Sequence, residues 1–469
     1  MKNFLKVVAL LLALVMLVGL FSACGEKTVV TEEKVWVDEE GSSEDTSSEQ
    51  EEEPTPSNTE TPSDKTTTTS SGNKKPTVSN SLGVNVDPKS LKGTTVVFAT
   101  WTDPFNGDCA NAIKAFMKDT GIKVKYQKIP EANYVQEITG AVLADKAPDV
   151  VDANSTFFSL WNQMRPIEDM KIDTSNEFWD TNYINSFKVD GKAYFVNSTN
   201  NYNRSYACVY YNKKIFKNAG IKTPEQYYKE GNWTMETMRT CLEELSEIGG
   251  DITPGFMYWS MLQGSHGANL IDWKNGKVVS NYSSSTKLEN FKYFQRYWLQ
   301  LQKDGLVTTQ STVFENGKAG IAIAETWGLK KEGRFKGLPA SDIGFTHLPT
   351  YKGKTAQPLT TPRGFGSPKK SKNPVGAGLF LRYYLDGNNY STSLFKTNAA
   401  AKFFYEVSSA APSKVYYEMD PLMSITLGLS DKDYYPTGDP ATVTTQVDSN
   451  KNKINGYVNS MNNMLKPAK

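Results

Sequence analysis

At 469 residues the chain is longer than one ordinary domain and calls for two or three, at about 100 to 200 residues each. Its net charge of +1 hides an uneven distribution: residues 1–30 carry +2, residues 31–72 carry −11, and the remaining body carries +10. Two histidines far apart, His266 and His347, argue against a His-rich metal centre, and Lys and Arg scattered along the body argue against nucleic acid as a partner.

Residues 1–23 read as a targeting segment. Lys2 and Lys6 precede an apolar run over 7–20, which falls short of the ~20 apolar residues a spanning helix needs. The run closes on Phe21, Ser22, Ala23 and Cys24, which resembles the lipobox of bacterial lipoproteins, with Phe21 where that pattern prefers Leu. The resemblance implies cleavage before Cys24 and lipidation of its sulfur, so that the membrane is reached through acyl chains alone, on the outer face of the bacterial plasma membrane. The other cysteines, Cys109, Cys208 and Cys241, are odd in number and imply no disulfide framework; Cys208 and Cys241 are left open as a pair or as buried thiols.

Residues 24–90 read as a stalk. Within 31–72 there are 17 Ser and Thr, 13 acidic residues and 3 Pro, and the only apolar side chains are Val35, Trp36 and Val37. Such a composition cannot bury a core, so the segment is expected to be a disordered tether spanning roughly 45 Å.

The body alternates strands and helices. A β-branched run at 94–100 is followed by a helical period over 109–120 that stops at Gly121, a strand at 122–126, a helix at 134–145 and a short buried strand at 148–152. Strands spaced by helices predict a parallel sheet covered on both faces. Further on, 207–211 reads as a strand, 213–218 and 234–248 as helices, and the Asn275-Gly276 pair as a hairpin turn. A helix over 286–303, strands at 319–324 and 342–347, and a helix at 374–385 complete the reading.

Several segments in one order resemble the extracellular solute-binding proteins of ABC importers, particularly the sugar-binding group. They are 95–101, 162–169 (NQMRPIED), 189–196 (VDGKAYFV), 210–220 (YYNKKIFKNAG), 314–327 (FENGKAGIAIAETW) and 370–373. The resemblance covers about 91–466 and implies an α/β fold of the periplasmic-binding-protein type II, with two discontinuous α/β lobes joined by a hinge. It places 91–205 with 319–368 in lobe one, and 206–318 with 369–466 in lobe two. It also implies a monomer that takes no cofactor or metal, captures a small-molecule solute, expected to be a carbohydrate, and hands it to a permease.

A sugar offers an apolar C–H face and a ring of hydroxyls, so its site needs flat aromatics and a few aimed polar groups. Trp101 and Asp103 follow the first strand, Asn154 the third, Tyr202, Asn203 and Arg204 lie at the presumed first crossover, Trp327 follows the strand at 319–324, and Arg363 sits in a loop beside the presumed hinge. These eight are the candidate ligand contacts; Trp161, Trp259 and Trp298 are expected in the core. The alternatives are the same fold binding a peptide, polyamine or anionic solute, a sensor or adhesion role, and a surface glycoside hydrolase, for which no local pattern nominates a carboxyl pair.

Overall fold

A computed structural model describes residues 34–35, 81–105, 109–153, 156–199, 204–360, 362–386, 394–408, 416–417 and 426–466. Its first sheet forms where the sequence predicts parallel strands. Thr95–Thr100 pairs in parallel with Lys123–Lys128, from Thr95 opposite Lys123 to Thr100 opposite Lys128, and on its other side with Val150–Asp152. The helix Ala110–Thr120 between the first two strands buries Ala112, Ile113, Phe116 and Thr120 along one face. It stops at Gly121, whose φ of 69° lets its N–H reach back to the Met117 carbonyl at 2.9 Å. Phe365–Gly366 closes the sheet antiparallel to Val150–Asp152, with Phe365 opposite Asp152. Over this sheet lies the helix Pro374–Tyr384, where Phe380 meets Phe98 and Phe116 at ring distances of 5.4 Å. Gly378 permits the approach, since a Cβ there would stand 2.4 Å from the Met170 carbonyl oxygen.

The second sheet has the order Ile343–Thr346, Ala207–Asn212, Ala319–Glu325, Thr253–Met257, Val307–Thr308. Ala319–Glu325 runs antiparallel to Ala207–Asn212 and parallel to Thr253–Met257, so the sheet is mixed. All six residues of Ala207–Asn212 are buried, as expected for a central strand covered on both faces. One cover is the helix Met235–Ser246, begun by a Thr234 capping box and turned inward through Met235, Met238, Cys241, Leu242 and Leu245.

The resemblance draws 319–368 into the first lobe; both strands within 319–346 hydrogen-bond to Ala207–Asn212 in the second sheet. The late helix Pro374–Tyr384, assigned to the second lobe, packs on the first sheet. Strand partners are chosen by tertiary contact, and local sequence does not carry that information.

The start of the body also shifts. The stalk was expected to reach residue 90, but Val84 is fully buried, the Gly83 carbonyl accepts from Trp179 Nε1 at 2.7 Å, and the Asn85 N–H donates to the Lys171 carbonyl at 2.7 Å. Residues from about 81 onward therefore belong to the folded body.

The Asn275-Gly276 turn forms as expected, with φ of 51° and 73°, between Ile271–Lys274 and Lys277–Ser280. Trp273 on this hairpin stacks on Phe187 at 5.7 Å and meets Phe158 at 5.2 Å. The final helix, Lys451–Met464, holds the hairpin through Asn462, whose amide both donates to the Val278 carbonyl and accepts from its N–H. Trp161, Trp259 and Trp298 are buried, as the sequence predicts. Cys208 and Cys241 are free thiols, and burial pushes both up to about 12.

His266 supplies a pH test of this packing. Its ring stacks near Phe294, its Nε2 lies 3.0 Å from the Pro349 carbonyl, and burial, only partly offset by that carbonyl, lowers its pKa to about 4. The folded state thus holds a neutral ring where the unfolded chain binds a proton below about 6.5. The stability is complete above about pH 6.5 and is lost as pH falls toward 4. His266→Gln removes the titration, so wild type should lose about 3 kcal/mol more than the variant between pH 7 and 4 in urea unfolding. Parallel pH profiles for the two proteins would refute the assignment.

Candidate functional site

The carboxyl ends of the first sheet's parallel strands carry a tightly linked group. Thr95–Thr100 delivers Trp101 and Val150–Asp152 ends on Asp152, which is 1% exposed. The Tyr134 hydroxyl ties the two strands, donating to the Ala99 carbonyl at 2.7 Å and accepting from the Asp152 N–H at 3.0 Å. Burial, with the Asp152 charge adding to it, holds this phenol well above its ordinary pKa, so it stays a donor. Trp101 stands edge-on to the same ring at 5.2 Å and 87°, which fixes the indole while leaving it half-exposed. Arg363 reaches Asp152 with Nε 3.2 Å from both carboxylate oxygens and a further contact from its Nη2. Asp103 accepts from the Phe105 N–H at 2.9 Å, which makes a local turn just beyond the strand end.

The second sheet carries a matching group. Ala319–Glu325 and Thr253–Met257 run parallel, so Trp327 and Tyr258 leave the sheet at the same end. The Arg334 guanidinium lies between them, 5.2 Å from the Trp327 ring and 4.9 Å from the Tyr258 ring. Glu325 at 3.4 Å and Glu315 at 3.7 Å balance its charge, and its buried Nε has no hydrogen-bond partner among the described residues. Beyond Tyr258 opens a cavity of about 460 Å³ lined by Trp259, Gln295, Trp298, Tyr434 and Tyr435 among others. Trp259 stacks on Trp298 at 5.2 Å and 16°, and its Nε1 has no hydrogen-bond partner among the described residues. The volume and the aromatic walls with a few polar groups are those of small-molecule sites.

The chain between the sheets touches both groups. Asn197 donates from Nδ2 to the Arg363 carbonyl at 2.9 Å, while the Ser205 hydroxyl accepts from the Trp327 N–H at 3.0 Å and the Thr326 N–H donates to the Tyr206 carbonyl at 2.7 Å. Arg204, in this crossover, is 3% exposed and ion-paired with Asp180, which also caps the helix Thr181–Ser186 through the Tyr183 N–H. Its geometry is that of a buried strut beneath the crossover, with its charge matched.

Of the eight residues nominated from sequence, Trp101, Asp103 and Arg363 gather at the first sheet, Trp327 at the second, and Arg204 below the crossover. Asn154, Tyr202 and Asn203 lie outside the described residues, as does Cys24. Tyr258, Arg334, Tyr434 and Tyr435 were not nominated. A signal for Tyr258 was present in the run Phe256, Met257, Tyr258, Trp259, which places large side chains at the end of a strand.

Residues 92–386 match the family of bacterial extracellular solute-binding proteins. The multiple sugar-binding protein of Streptococcus mutans serotype c is 24% identical over 398 residues, spanning 76% of this chain and 86% of that protein. Among solved structures, the GacH receptor of Streptomyces glaucescens GLA.O, determined unliganded and with acarbose, superposes with a TM-score of 0.54 at 17% identity over 80% of this chain and 99% of its own. The sugar-binding protein MalE from Xanthomonas citri gives 0.53 at 14% identity over 80% and 100%. At these identities the structural likeness speaks to the fold.

Proposed function

Because the chain belongs to the bacterial extracellular solute-binding proteins, we propose that it captures a sugar or oligosaccharide between its two sheets and delivers it to an ABC permease. The fold is the two-lobed type II binding-protein fold. The observation that carries the sugar reading is the arrangement of half-open aromatics at parallel strand ends on both sheets, Trp101 on one and Trp327 with Tyr258 on the other. Flat apolar faces beside a few polar groups suit a ring of alternating C–H and hydroxyl surfaces. The relative from Streptococcus mutans is a sugar-binding protein, which supports the same ligand class.

The charges favour an uncharged cargo over an anionic one. Arg363 is neutralised by Asp152, Arg204 by Asp180, and Arg334 by Glu325 and Glu315, so none of the three offers a ready cation to a carboxylate or phosphate. The family and the similar structures are binding proteins, and we read this chain likewise as a carrier without catalysis. Thermal unfolding against a panel of neutral oligosaccharides, sugar acids, peptides and polyamines tests the reading. A true ligand at ~100 times its Kd adds about 2.7 kcal/mol of stability. Stabilisation by a peptide or polyamine and by no sugar would overturn the sugar assignment while leaving the fold intact.

Lipidation at Cys24 belongs to the same proposal, and rests on the sequence around it. Among the described residues, no helix is long and apolar enough to cross a membrane. Cys24→Ser is expected to move the protein from the membrane fraction to the soluble one. Retention of the variant with its leader uncleaved would point instead to a signal anchor.

A further inference from the structure

We propose that the cavity between the turn at 351–354 and the start of the helix Ser285–Lys303 binds a phosphate dianion, free or as a small monoester. The cavity measures about 610 Å³, in the size range of small-molecule sites. It stands apart from the aromatic cavity beside Tyr258, with which it shares no lining residue. The helix Trp259–Ser265 runs between the two, Trp259 lining the aromatic cavity and Ser265 this one. The inference therefore goes beyond the sugar reading and does not depend on it.

The charge around the cavity has one sign. None of its lining residues is acidic, while Lys352 and Lys354 both line it. The turn that carries them is tightly set: Tyr351 and Lys354 exchange both backbone hydrogen bonds at 3.0 Å, with φ of 50° and 69° at Lys352 and Gly353. Lys352 Nζ stands 5.0 Å from the centre of the Tyr351 ring, itself part of the cavity wall. Both lysines are exposed, and among the described residues neither has an ion-pair partner. Two uncommitted ammonium groups suit two negative charges better than one.

The opposite wall adds donors. Thr286 and Asn290, one turn apart at the start of the 19-residue helix Ser285–Lys303, line the cavity. Ser284 at the N-cap makes no side-chain capping bond, and the first turn holds no acidic residue, so nothing in the chain offsets the positive end of this helix there. Ser265 and Tyr351 complete the lining. Both are buried, and their hydroxyls have no hydrogen-bond partner among the described residues. A buried hydroxyl calls for an acceptor, and an oxyanion with several oxygens supplies one to each.

Isothermal titration of the full chain with inorganic phosphate, at fixed ionic strength and about pH 8 where the dianion dominates, decides the matter. Wild type should bind with a Kd below about 1 mM, and Lys352→Gln/Lys354→Gln should weaken binding by at least about tenfold. Both lysines are exposed on a turn, so the unfolding midpoint without phosphate should stay where it is. Ser265→Ala should also weaken phosphate binding without loss of apo stability, because the hydroxyl it removes has no partner to lose. Glycerol 3-phosphate, a free monoester, should bind at least as tightly as phosphate, and glycerophosphoglycerol, the diester of a lipid headgroup, more weakly. No saturation by about 10 mM phosphate, or equal affinity in wild type and the lysine variant, overturns the proposal. Tighter binding of the diester also overturns it, in favour of a lipid surface.

Discussion

Trp327→Ala should weaken ligand binding by roughly 30-fold to 1,000-fold, which is about 2 to 4 kcal/mol. The indole sits just past the strand Ala319–Glu325, half-exposed, with Arg334 against its face. Truncation removes the stacking surface and also frees Arg334 from one of its two aromatic walls. The turn that carries it, Thr326–Leu329, keeps its backbone bonds to Ser205 and Tyr206, so the apo protein should lose less than about 1.5 kcal/mol. A core tryptophan behaves oppositely and costs about 3 to 5 kcal/mol of fold stability. Calorimetric Kd and apo unfolding on the same variant separate the two. Unchanged affinity with a much weakened fold would remove Trp327 from the ligand site.

Arg204→Met should instead cost about 3 to 5 kcal/mol of stability, because it leaves the Asp180 charge buried without its cation. Both side chains are 2% exposed, so water cannot take the place of the lost partner. Adding Asp180→Asn should recover part of the loss, since the amide oxygen can still cap Tyr183 without carrying charge. The result that would return Arg204 to the ligand site is a tenfold or greater loss of affinity with the unfolding midpoint unchanged.

The first sheet was legible because each of its three parallel strands is a short apolar or β-branched run separated by a helix of clear period. Ala110–Thr120 and Tyr134–Leu143 fall within two residues of the expected bounds. The strand Thr253–Met257 was not legible, since Pro254 and Gly255 stand inside it and both disfavour strands. Gly255 is there for space: a Cβ would stand 2.8 Å from Leu242 on the covering helix. Without that strand, Tyr258 could not be recognised as a strand-end residue. Trp101 and Trp327 could be nominated because each follows a strong strand. The pairing of Arg363 with Asp152 could not, because 211 residues separate them and only the antiparallel closure by Phe365–Gly366 brings them together.

Asp149 links the same distant segments. It is 4% exposed, and its carboxylate accepts from the Val97 N–H at 2.9 Å, the Ser371 hydroxyl at 2.7 Å, and the N–H groups of Lys372 at 3.1 Å and Asn373 at 2.8 Å. A chain emerging from the ribosome with its amino end first therefore holds an incomplete first sheet until residue 373 has been made. The second sheet, complete by Thr346, can close earlier. The Asp149 contacts close over more than 200 residues, so in refolding they should form after the first sheet's three neighbouring parallel strands have paired. The open first sheet would then be the species most exposed to aggregation, and the carboxyl-terminal third of the chain acts as its clasp.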